Sequence, residues 1–413
     1  MKTSAILKTS SVNIVLKFAA VGMVFLFQAL LAKTVSVESY SIYAKFTMYS
    51  GYISLLTSFG MTSSLIYSSK TENDFIKNYL GVFLFYLFVG LIAICVVALT
   101  NHENLFYTLI IIFSILMNLV GISLSFYQFQ KKFAKYAIFG FYQSLSVISV
   151  LFFIKIFNIT DILYVLEIYI ATHFLFFIIL LFNIYLDHVG SFFSKPLLKI
   201  QNFIYGLKTV GLMLLAQFIY ITDFVMVDYF LESSSLAYYF VALILSKVIF
   251  IMADTVGNIV FTLYIQGSRN ETKDVDKSIY LVSSFLFLMS LIVLVVFIFF
   301  GKSFLMFVYD EPYVNAYLST IILIASTQGM IIYKLLSRKL AAENSWKILY
   351  VSVAFSAVLN VVLNIILIPK YGIEGAAFSS FIAYWVCGIS LVILHKEKLS
   401  NFLFSLNFNK IYS

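Results

Sequence analysis

The stretch from Leu363 to Trp385 reads LNIILIPKYGIEGAAFSSFIAYW, two apolar segments separated by a short polar interruption. Pro369 is expected to end the first helix, because its ring removes a backbone donor and clashes with the preceding turn. Gly372 and Gly375 allow a tight reversal without clashes at Cβ, and the alanines that follow allow close helix packing. The sequence therefore predicts a hairpin between two membrane-spanning helices.

The rest of the chain is equally apolar. Its 413 residues are 62% hydrophobic and 11% charged, whereas a soluble domain carries roughly 25% charged residues. Stretches of about 18 to 25 apolar residues cross a bilayer as helices. Twelve such stretches are found, at 12–32, 40–67, 78–99, 105–129, 136–157, 162–186, 204–227, 236–265, 279–300, 313–333, 346–368 and 375–394. We therefore expect an all-α integral membrane protein with about twelve transmembrane helices.

Lysine and arginine are distributed unevenly between the two sides of such a protein. Of the 27 basic residues, 19 lie in segments on the side of the termini, four on the opposite side and four in or beside spans. Because basic residues favour the cytoplasmic side, both termini are predicted to be cytoplasmic. The net charge of +8 is then a topology signal rather than a sign of nucleic-acid binding.

The two halves of the chain resemble each other weakly. LKFAAVGM at Leu16–Met23 is similar to LKTVGLM at Leu207–Met213, in the first and seventh spans. Parallel repeats are common in transporters, with the substrate site between them. We therefore predict two six-helix bundles, residues 1–195 and 196–413, joined by a linker at Asp187–Asn202 that could lie along the membrane surface.

Charged residues inside spans are the candidates for function, since each costs at least about 2.5 kcal/mol at the bilayer centre. The basic candidates are Lys17, Lys45, Lys208 and Lys247, and the acidic ones are Glu167, Asp223 and Asp254. The lysines suit an anionic substrate, and the carboxylates suit coupling or pairing with lysine. Lys247 and Asp254 share one helix face, because seven residues are close to two turns.

Structural roles remain open for several of these residues. Lys17 and Lys208 lie near the cytoplasmic end of their spans, where they could reach the interface by snorkelling. Lys247 and Asp254 could simply neutralise each other. Asp223 could be solvated near the outer surface, and Glu167 could be structural.

Neither the cysteines nor the short motifs indicate a cofactor. Cys95 and Cys387 lie inside spans and fit no redox or metal-binding spacing. No phosphate-binding glycine-rich motif or HExxH motif occurs in the sequence. We therefore expect no cofactor, no protein-bound metal and no ATP hydrolysis.

The segment Asn360–Ala377, NVVLNIILIPKYGIEGAA, resembles the signature before the last span of polysaccharide-exporting flippases. These belong to the multidrug/oligosaccharidyl-lipid/polysaccharide (MOP) superfamily. The match is carried by Asn360, Asn364, Pro369, Gly372, Gly375, Ala376 and Ala377. A weaker resemblance lies at Thr222–Ala242, TDFVMVDYFLESSSLAYYFVA, which is similar to the exit of the seventh span in that family.

Within the superfamily the chain most resembles the O-antigen flippases of lipopolysaccharide biosynthesis. The resemblance implies a V-shaped pair of bundles around a basic central cavity lined by spans one, two, seven and eight, which here carry Lys17, Lys45, Lys208 and Lys247. It also implies a non-enzymatic, multi-pass protein of the bacterial inner membrane. That protein would move undecaprenyl-pyrophosphate-linked oligosaccharide from the cytoplasmic to the periplasmic leaflet by alternating access.

Partners and rival functions follow from the same resemblance. An O-antigen polymerase and a chain-length regulator are the implied protein partners, and coupling to H⁺ or Na⁺ is left open. A polytopic O-antigen polymerase or glycosyltransferase is one alternative, although it would need a large outer loop, and the connection around Gly301–Pro312 spans about a dozen residues. A cation-coupled drug exporter of the same fold is the other, although it would favour carboxylates over lysines in the cavity.

Overall fold

The protein is described from a computed structural model, which covers the backbone of residues 3–69, 71–100, 105–130, 132–188, 195–266, 269–343, 345–396 and 399–404. All regular secondary structure in these ranges is helical, which confirms the all-α prediction. Each of the twelve predicted spans lies on helical backbone, and the second is interrupted by a turn at Phe59 and Gly60.

The first seven helices are α1 (Thr3–Thr34), α2 (Val37–Ser58), α3 (Met61–Ser68), α4 (Glu72–Thr100), α5 (Leu105–Phe129), α6 (Phe133–Phe157) and α7 (Ile162–Asp187). The remainder are α8 (Ile200–Phe230), α9 (Ser233–Gln266), α10 (Arg269–Tyr309), a 3-10 helix (Glu311–Ala316), α11 (Tyr317–Ala342), α12 (Trp346–Leu394) and α13 (Leu399–Phe404). Within the described residues, eight helices are long and apolar enough to cross a membrane.

Two polar segments are more helical than the hydropathy pattern suggested. The polar segment between the eighth and ninth predicted spans, 236–265 and 279–300, is helical from Arg269 onward, because α10 begins there. The expected outer connection around Gly301–Pro312 is also helical as far as Tyr309. A helix continues past its apolar span wherever water can solvate its polar residues, so hydropathy marks the apolar span and not the helix end.

The predicted hairpin lies inside α12, whose 49 residues would extend about 73 Å as one straight helix. Gly372 breaks the helix with φ 60° and ψ −138°, a conformation that residues with a Cβ rarely adopt. A Cβ built on Gly375 would lie 2.3 Å from the carbonyl oxygen of Leu367. Such proximity requires the chain to reverse, so α12 consists of two packed arms.

Pro369 does not end the first arm, contrary to the sequence-based expectation. The backbone stays helical through Pro369 and leaves the helix three residues later, at Gly372. Pro369 lies in the last turn of this arm, and the departure from helical dihedrals is made by the residue that lacks a Cβ.

The chain divides into two compact units, Met1–Leu214 and Leu215–Ser413. In the first, an aromatic core is formed by Phe27, Tyr43, Phe46, Phe113, Tyr169 and His173. Asn118 of α5 ties this unit together by bonding Ser54 and Thr57 of α2. These bonds join α5 to α2, the helix that carries Lys45.

Within the mid-chain linker, Lys195–Lys199 is not helical and packs on α4. The amide nitrogen of Leu197 donates to the carbonyl oxygen of Lys77 at 2.9 Å. Lys199 Nζ lies 2.7 and 2.9 Å from the two carboxylate oxygens of Asp74. The end of the linker is therefore anchored to the first unit just before α8 begins.

In the second unit α11 and the second arm of α12 approach at backbone distance. A Cβ on Gly329 would lie 2.7 Å from Cα of Trp385, and one on Gly388 would lie 2.4 Å from the carbonyl oxygen of Gly329. Small residues at such a crossing allow the close packing that stabilises helices in membranes. This contact fixes the second arm, which carries part of the site described next.

Candidate functional site

Asp223 of α8 is completely buried inside the second unit, with an exposed fraction of 0%. The alternative that it is solvated at the outer surface is therefore wrong. A carboxylate inside a membrane-spanning helix is expensive unless it is hydrogen-bonded, paired or placed in a polar cavity. The side chains around Asp223 show whether it is hydrogen-bonded, paired with a cation or placed in a polar cavity.

Four polar side chains surround this carboxylate. Asn364 donates from Nδ2 to Oδ1 of Asp223 at 2.7 Å, and the Tyr239 hydroxyl donates to Oδ2 at 3.1 Å. The Ser380 hydroxyl also donates to Oδ2. Asn364 Nδ2 in addition contacts Oδ1 of Asn360 at 3.1 Å. All five residues have no exposed surface.

The hairpin in α12 creates this cluster. Asn364 lies on the first arm and Ser380 on the second, and on one continuous helix they would stand about 24 Å apart. Both nevertheless donate to the carboxylate of Asp223. Because the arms fold back at Gly372, two segments that are distant along the chain meet at one side chain of α8.

One acceptor atom of the cluster, Oδ1 of Asn364, is buried without a hydrogen-bond partner in the described part of the chain. An unsatisfied buried polar atom costs about 1–3 kcal/mol, and such atoms are rare enough to require an explanation. An acceptor oxygen left unpaired beside a carboxylate is suited to a positively charged ligand.

The chemistry of the cluster fits a small hard cation or a proton. Carboxylate, amide and hydroxyl oxygens are the ligands that such cations prefer. Asp223 supplies one negative charge, and the four neighbouring side chains are neutral. The balance of charge therefore favours a monovalent cation or H⁺.

Two of the predicted lysines have described side chains. Lys45 lies on α2 in the first unit and Lys247 on α9 in the second, and both are partly exposed. Lys17 on α1 and Lys208 on α8 lie on helical backbone, but their side chains are outside the described residues.

Of the two other predicted carboxylates, only Glu167 has a described side chain. Asp254 lies on the helical backbone of α9, and its side chain is outside the described residues. Glu167 lies on α7 in the first unit and is partly exposed. The structure thus joins Asp223 to Asn360 and Asn364. The sequence analysis had treated Asp223 as a charged candidate site residue and the two asparagines only as residues of the family motif.

Tyr239 and Ser380 belong to the site but were not predicted from the sequence. Both are uncharged, so a search for ionisable residues in spans passes over them. Ser380 lies in the segment AAFSSF, where serine is ordinary for a closely packed membrane helix. The signals for this cluster were Asp223 as an ionisable residue in a span, the segment Thr222–Ala242 that also contains Tyr239, and the pair of asparagines spaced by one helical turn.

No family model matches the chain, and no curated protein matches it significantly. Solved structures do match. The lipid II flippase MurJ in an inward closed conformation has a TM-score of 0.74 at 18% identity, over 95% of this chain and 89% of that one. An inward-facing multidrug resistance MATE family transporter of the MOP superfamily has a TM-score of 0.72 at 11% identity, over 94% and 97%.

A eukaryotic MATE transporter, AtDTX14, has a TM-score of 0.64 at 14% identity and covers 97% of both chains. These identities are low, so the likeness concerns the fold. The chain is therefore a multi-span helical membrane protein with the fold of MOP transporters, and the predicted fold class is confirmed.

Proposed function

We propose that this chain is a cation-coupled flippase for undecaprenyl-pyrophosphate-linked O-antigen units, which it moves from the cytoplasmic to the periplasmic leaflet of the bacterial inner membrane. The observation that carries the lipid-linked, anionic substrate is the presence of partly exposed Lys45 and Lys247 on α2 and α9 in a chain with the MOP transporter fold. The buried, oxygen-lined Asp223 cluster supports the coupling to a cation. The chain acts by alternating access and forms no covalent intermediate with its substrate.

The coupling step follows from the cost of an uncompensated charge. Without a ligand, Asp223 and the oxygen of Asn364 carry an unfavourable burial that a bound Na⁺ or H⁺ relieves. A ligand that binds one conformation better than another shifts the population toward it. Cation binding at Asp223 therefore favours one state of the transport cycle, and cation release favours the other.

The anionic substrate is supported by the lysines. A pyrophosphate that crosses the bilayer needs cations along its path, because an unpaired charge in the hydrocarbon is prohibitively expensive. Lys45 and Lys247 are partly exposed on helices α2 and α9, and Lys17 and Lys208 lie on α1 and α8. The likeness in fold to a structure named as a lipid II flippase supports a lipid-linked substrate.

The test is complementation of a strain whose own copy of the gene is disrupted. Disruption should deplete surface O-antigen and cause lipid-linked O-units to accumulate on the cytoplasmic face. Lys45→Ala and Lys247→Ala should fail to restore O-antigen at normal membrane abundance, and the Lys→Arg variants should restore part of it. Lys302→Ala is the control, because Lys302 is exposed at the far end of α10. Full O-antigen ladders from both alanine variants would remove the lysines from the mechanism.

The same strain separates the two alternatives. Loss of a polymerase leaves core lipopolysaccharide capped with a single O-unit, because units are still delivered, whereas loss of a flippase leaves the core uncapped. The Asp223 cluster alone would also suit a cation-coupled drug exporter. That function predicts raised drug susceptibility and unchanged O-antigen on disruption of the gene.

A further inference from the structure

A groove of about 330 Å³ lies in the first unit between α4 and α7. Both helices pack against α5, so the groove is the gap left between them. Its members on α7 recur every three or four residues and therefore share one helix face. The lining includes Tyr79 and Phe83 of α4 and Ile178, Leu181, Phe182 and Tyr185 of α7.

The two walls of the groove are joined beyond each of its ends. At one end the Phe83 ring of α4 stacks on the Phe177 ring of α7, with ring centroids 6.3 Å apart. At the other end Nδ1 of His188, which follows α7, lies 3.5 Å from a carboxylate oxygen of Glu72 at the start of α4. The groove is therefore a preformed space with tied walls.

The lining offers a ligand almost no hydrogen-bonding group, because its surface is nearly all carbon. The hydroxyl of Tyr79 engages α5 instead, where it lies 3.0 Å from Oγ of Ser123. Sites for polar small molecules carry a few placed polar groups that fix the ligand's orientation. A sugar or a phosphate would lose its hydrogen bonds to water here without replacing them. The ligand that fits is therefore a hydrocarbon chain.

The open side of the groove faces lipid. Two of its lining residues, Ile178 and Phe182, are 46% and 58% exposed, and both walls belong to helices long and apolar enough to cross a membrane. From Ile178 to Tyr185 the groove follows about 10 Å of helix, which is less than half of the roughly 30 Å hydrocarbon core. The polar residues Glu72 and His188 lie just beyond one end. The groove therefore belongs to a single leaflet.

A bilayer phospholipid is the occupant that these observations favour. Walls without a partner forfeit their dispersion contacts, and lipid chains are the molecules that the open side meets. Phospholipid is far more concentrated in a membrane than any transported lipid, and the lining has no polar group that would select a particular headgroup. We propose that one acyl chain of a phospholipid occupies this groove and packs between α4 and α7.

The test is the number of phospholipid molecules that the purified full-length protein retains in mild detergent, measured by native mass spectrometry. Leu181→Trp fills the groove and should retain one phospholipid fewer than the parent protein. Ile178→Trp, at the exposed rim, makes the same test where folding is less affected. Leu181→Ala leaves the groove open and should retain as many as the parent. The matched control is Leu175→Trp, the same exchange at an exposed residue of α7 outside the lining, and it should also match the parent.

A second measurement uses the delipidated protein. Added phosphatidylglycerol or phosphatidylethanolamine should raise the Tm of the parent protein, because a ligand of the folded state stabilises it. The two lipids should act alike, since the groove selects no headgroup. Leu181→Trp should show a smaller rise, and Leu175→Trp should show the full rise. Equimolar undecaprenyl phosphate should leave the retained phospholipid in place.

Several outcomes would overturn the inference. Equal retention by the parent protein and both groove-filling variants would do so, as would a parent that retains no phospholipid and shows no rise in Tm. An equal loss in Leu175→Trp would show that the lipid lies elsewhere on α7. Displacement by undecaprenyl phosphate would give the groove to the transported lipid instead. The inference does not depend on the transported substrate, so a failed O-antigen complementation leaves it standing.

Discussion

Asn364 donates a hydrogen bond of 2.7 Å to the buried carboxylate of Asp223, which lies 141 positions earlier in the chain. The bond joins the first arm of the α12 hairpin to α8 at a point with no exposed surface. Ser380 joins the second arm to the same carboxylate. A change in charge at Asp223 therefore acts on three helical segments at once.

The first prediction is that cation binding at Asp223 stabilises the protein. A ligand that binds only the folded state stabilises it by about 2.7 kcal/mol at a hundred times its dissociation constant. The Tm of the purified protein should therefore rise with Na⁺ at constant ionic strength, or with falling pH if the ligand is H⁺. Asp223→Asn should abolish this rise, because a neutral amide cannot balance a cation.

The matched control for this prediction is Asp228→Asn, in the same helix but partly exposed. It should keep the ion dependence of the parent protein. A parent Tm that responds to neither Na⁺ nor pH would remove the coupling role from Asp223.

The second prediction concerns the glycines of the hairpin. Gly375→Ala places a Cβ 2.3 Å from a backbone carbonyl oxygen, which only a shift of one arm can relieve. Gly372→Ala forces an alanine into φ 60°, a strain of about 1–3 kcal/mol. Both variants should lower Tm and membrane abundance, measured by fluorescence-detected size exclusion and immunoblot.

Gly140→Ala provides the comparison for the hairpin variants. Gly140 lies inside α6, and no atom lies within 4 Å of its added Cβ, so the exchange should be neutral or stabilising by up to about 1 kcal/mol. If Gly375→Ala and Gly140→Ala gave equal abundance, the close approach of the two arms would not hold.

The third prediction concerns topology. The excess of lysine and arginine on the side of the termini predicts that fusions after Lys195 and Glu343 report cytoplasm. Fusions after Asp310 and Lys370 should report periplasm, since these residues lie at the opposite helix ends. Paired alkaline phosphatase and fluorescent-protein reporters make the measurement. A periplasmic signal at Lys195 would contradict the six-plus-six arrangement of spans.

The sequence predicted the helices well because their apolar lengths are set by the bilayer, a constraint that acts along the chain. It also predicted the hairpin, since Gly372 and Gly375 follow from backbone sterics alone. It did not predict that Asp223 meets Asn364. Helical periodicity relates residues on one helix only, and this contact depends on how three segments pack.

Lys334 illustrates a second limit. It is followed closely by Ser337, Arg338 and Lys339, so local hydropathy falls before α11 ends at Ala342. The sequence therefore assigned it to a loop. Its place over the Phe250 ring depends on the packing of α11 against α9, which no local pattern encodes.

The last prediction links the cation site to substrate binding through three aromatic rings, Tyr220, Phe250 and Tyr384, which contact one another. Tyr384 follows Ser380 by about one turn, and Tyr220 precedes Asp223 by almost one turn, so each ring lies next to a residue of the cation site. Phe250, which contacts both rings, lies against Lys334. If this contact carries the coupling, Na⁺ or H⁺ should change undecaprenyl pyrophosphate affinity about fivefold or more in the parent protein.

In Tyr384→Ala the coupling ion should barely change undecaprenyl pyrophosphate affinity, although each ligand should still bind. The reason is that the substitution removes the ring that joins the two sites. Tyr384→Phe keeps the ring and should keep most of the factor. The measurement is undecaprenyl pyrophosphate affinity in nanodiscs with and without the coupling ion, for the parent and both variants. The contrary result is a coupling ion that changes undecaprenyl pyrophosphate affinity as much in Tyr384→Ala as in the parent protein. That result would show that the two sites communicate by another route, because a coupling element must respond to both ligands.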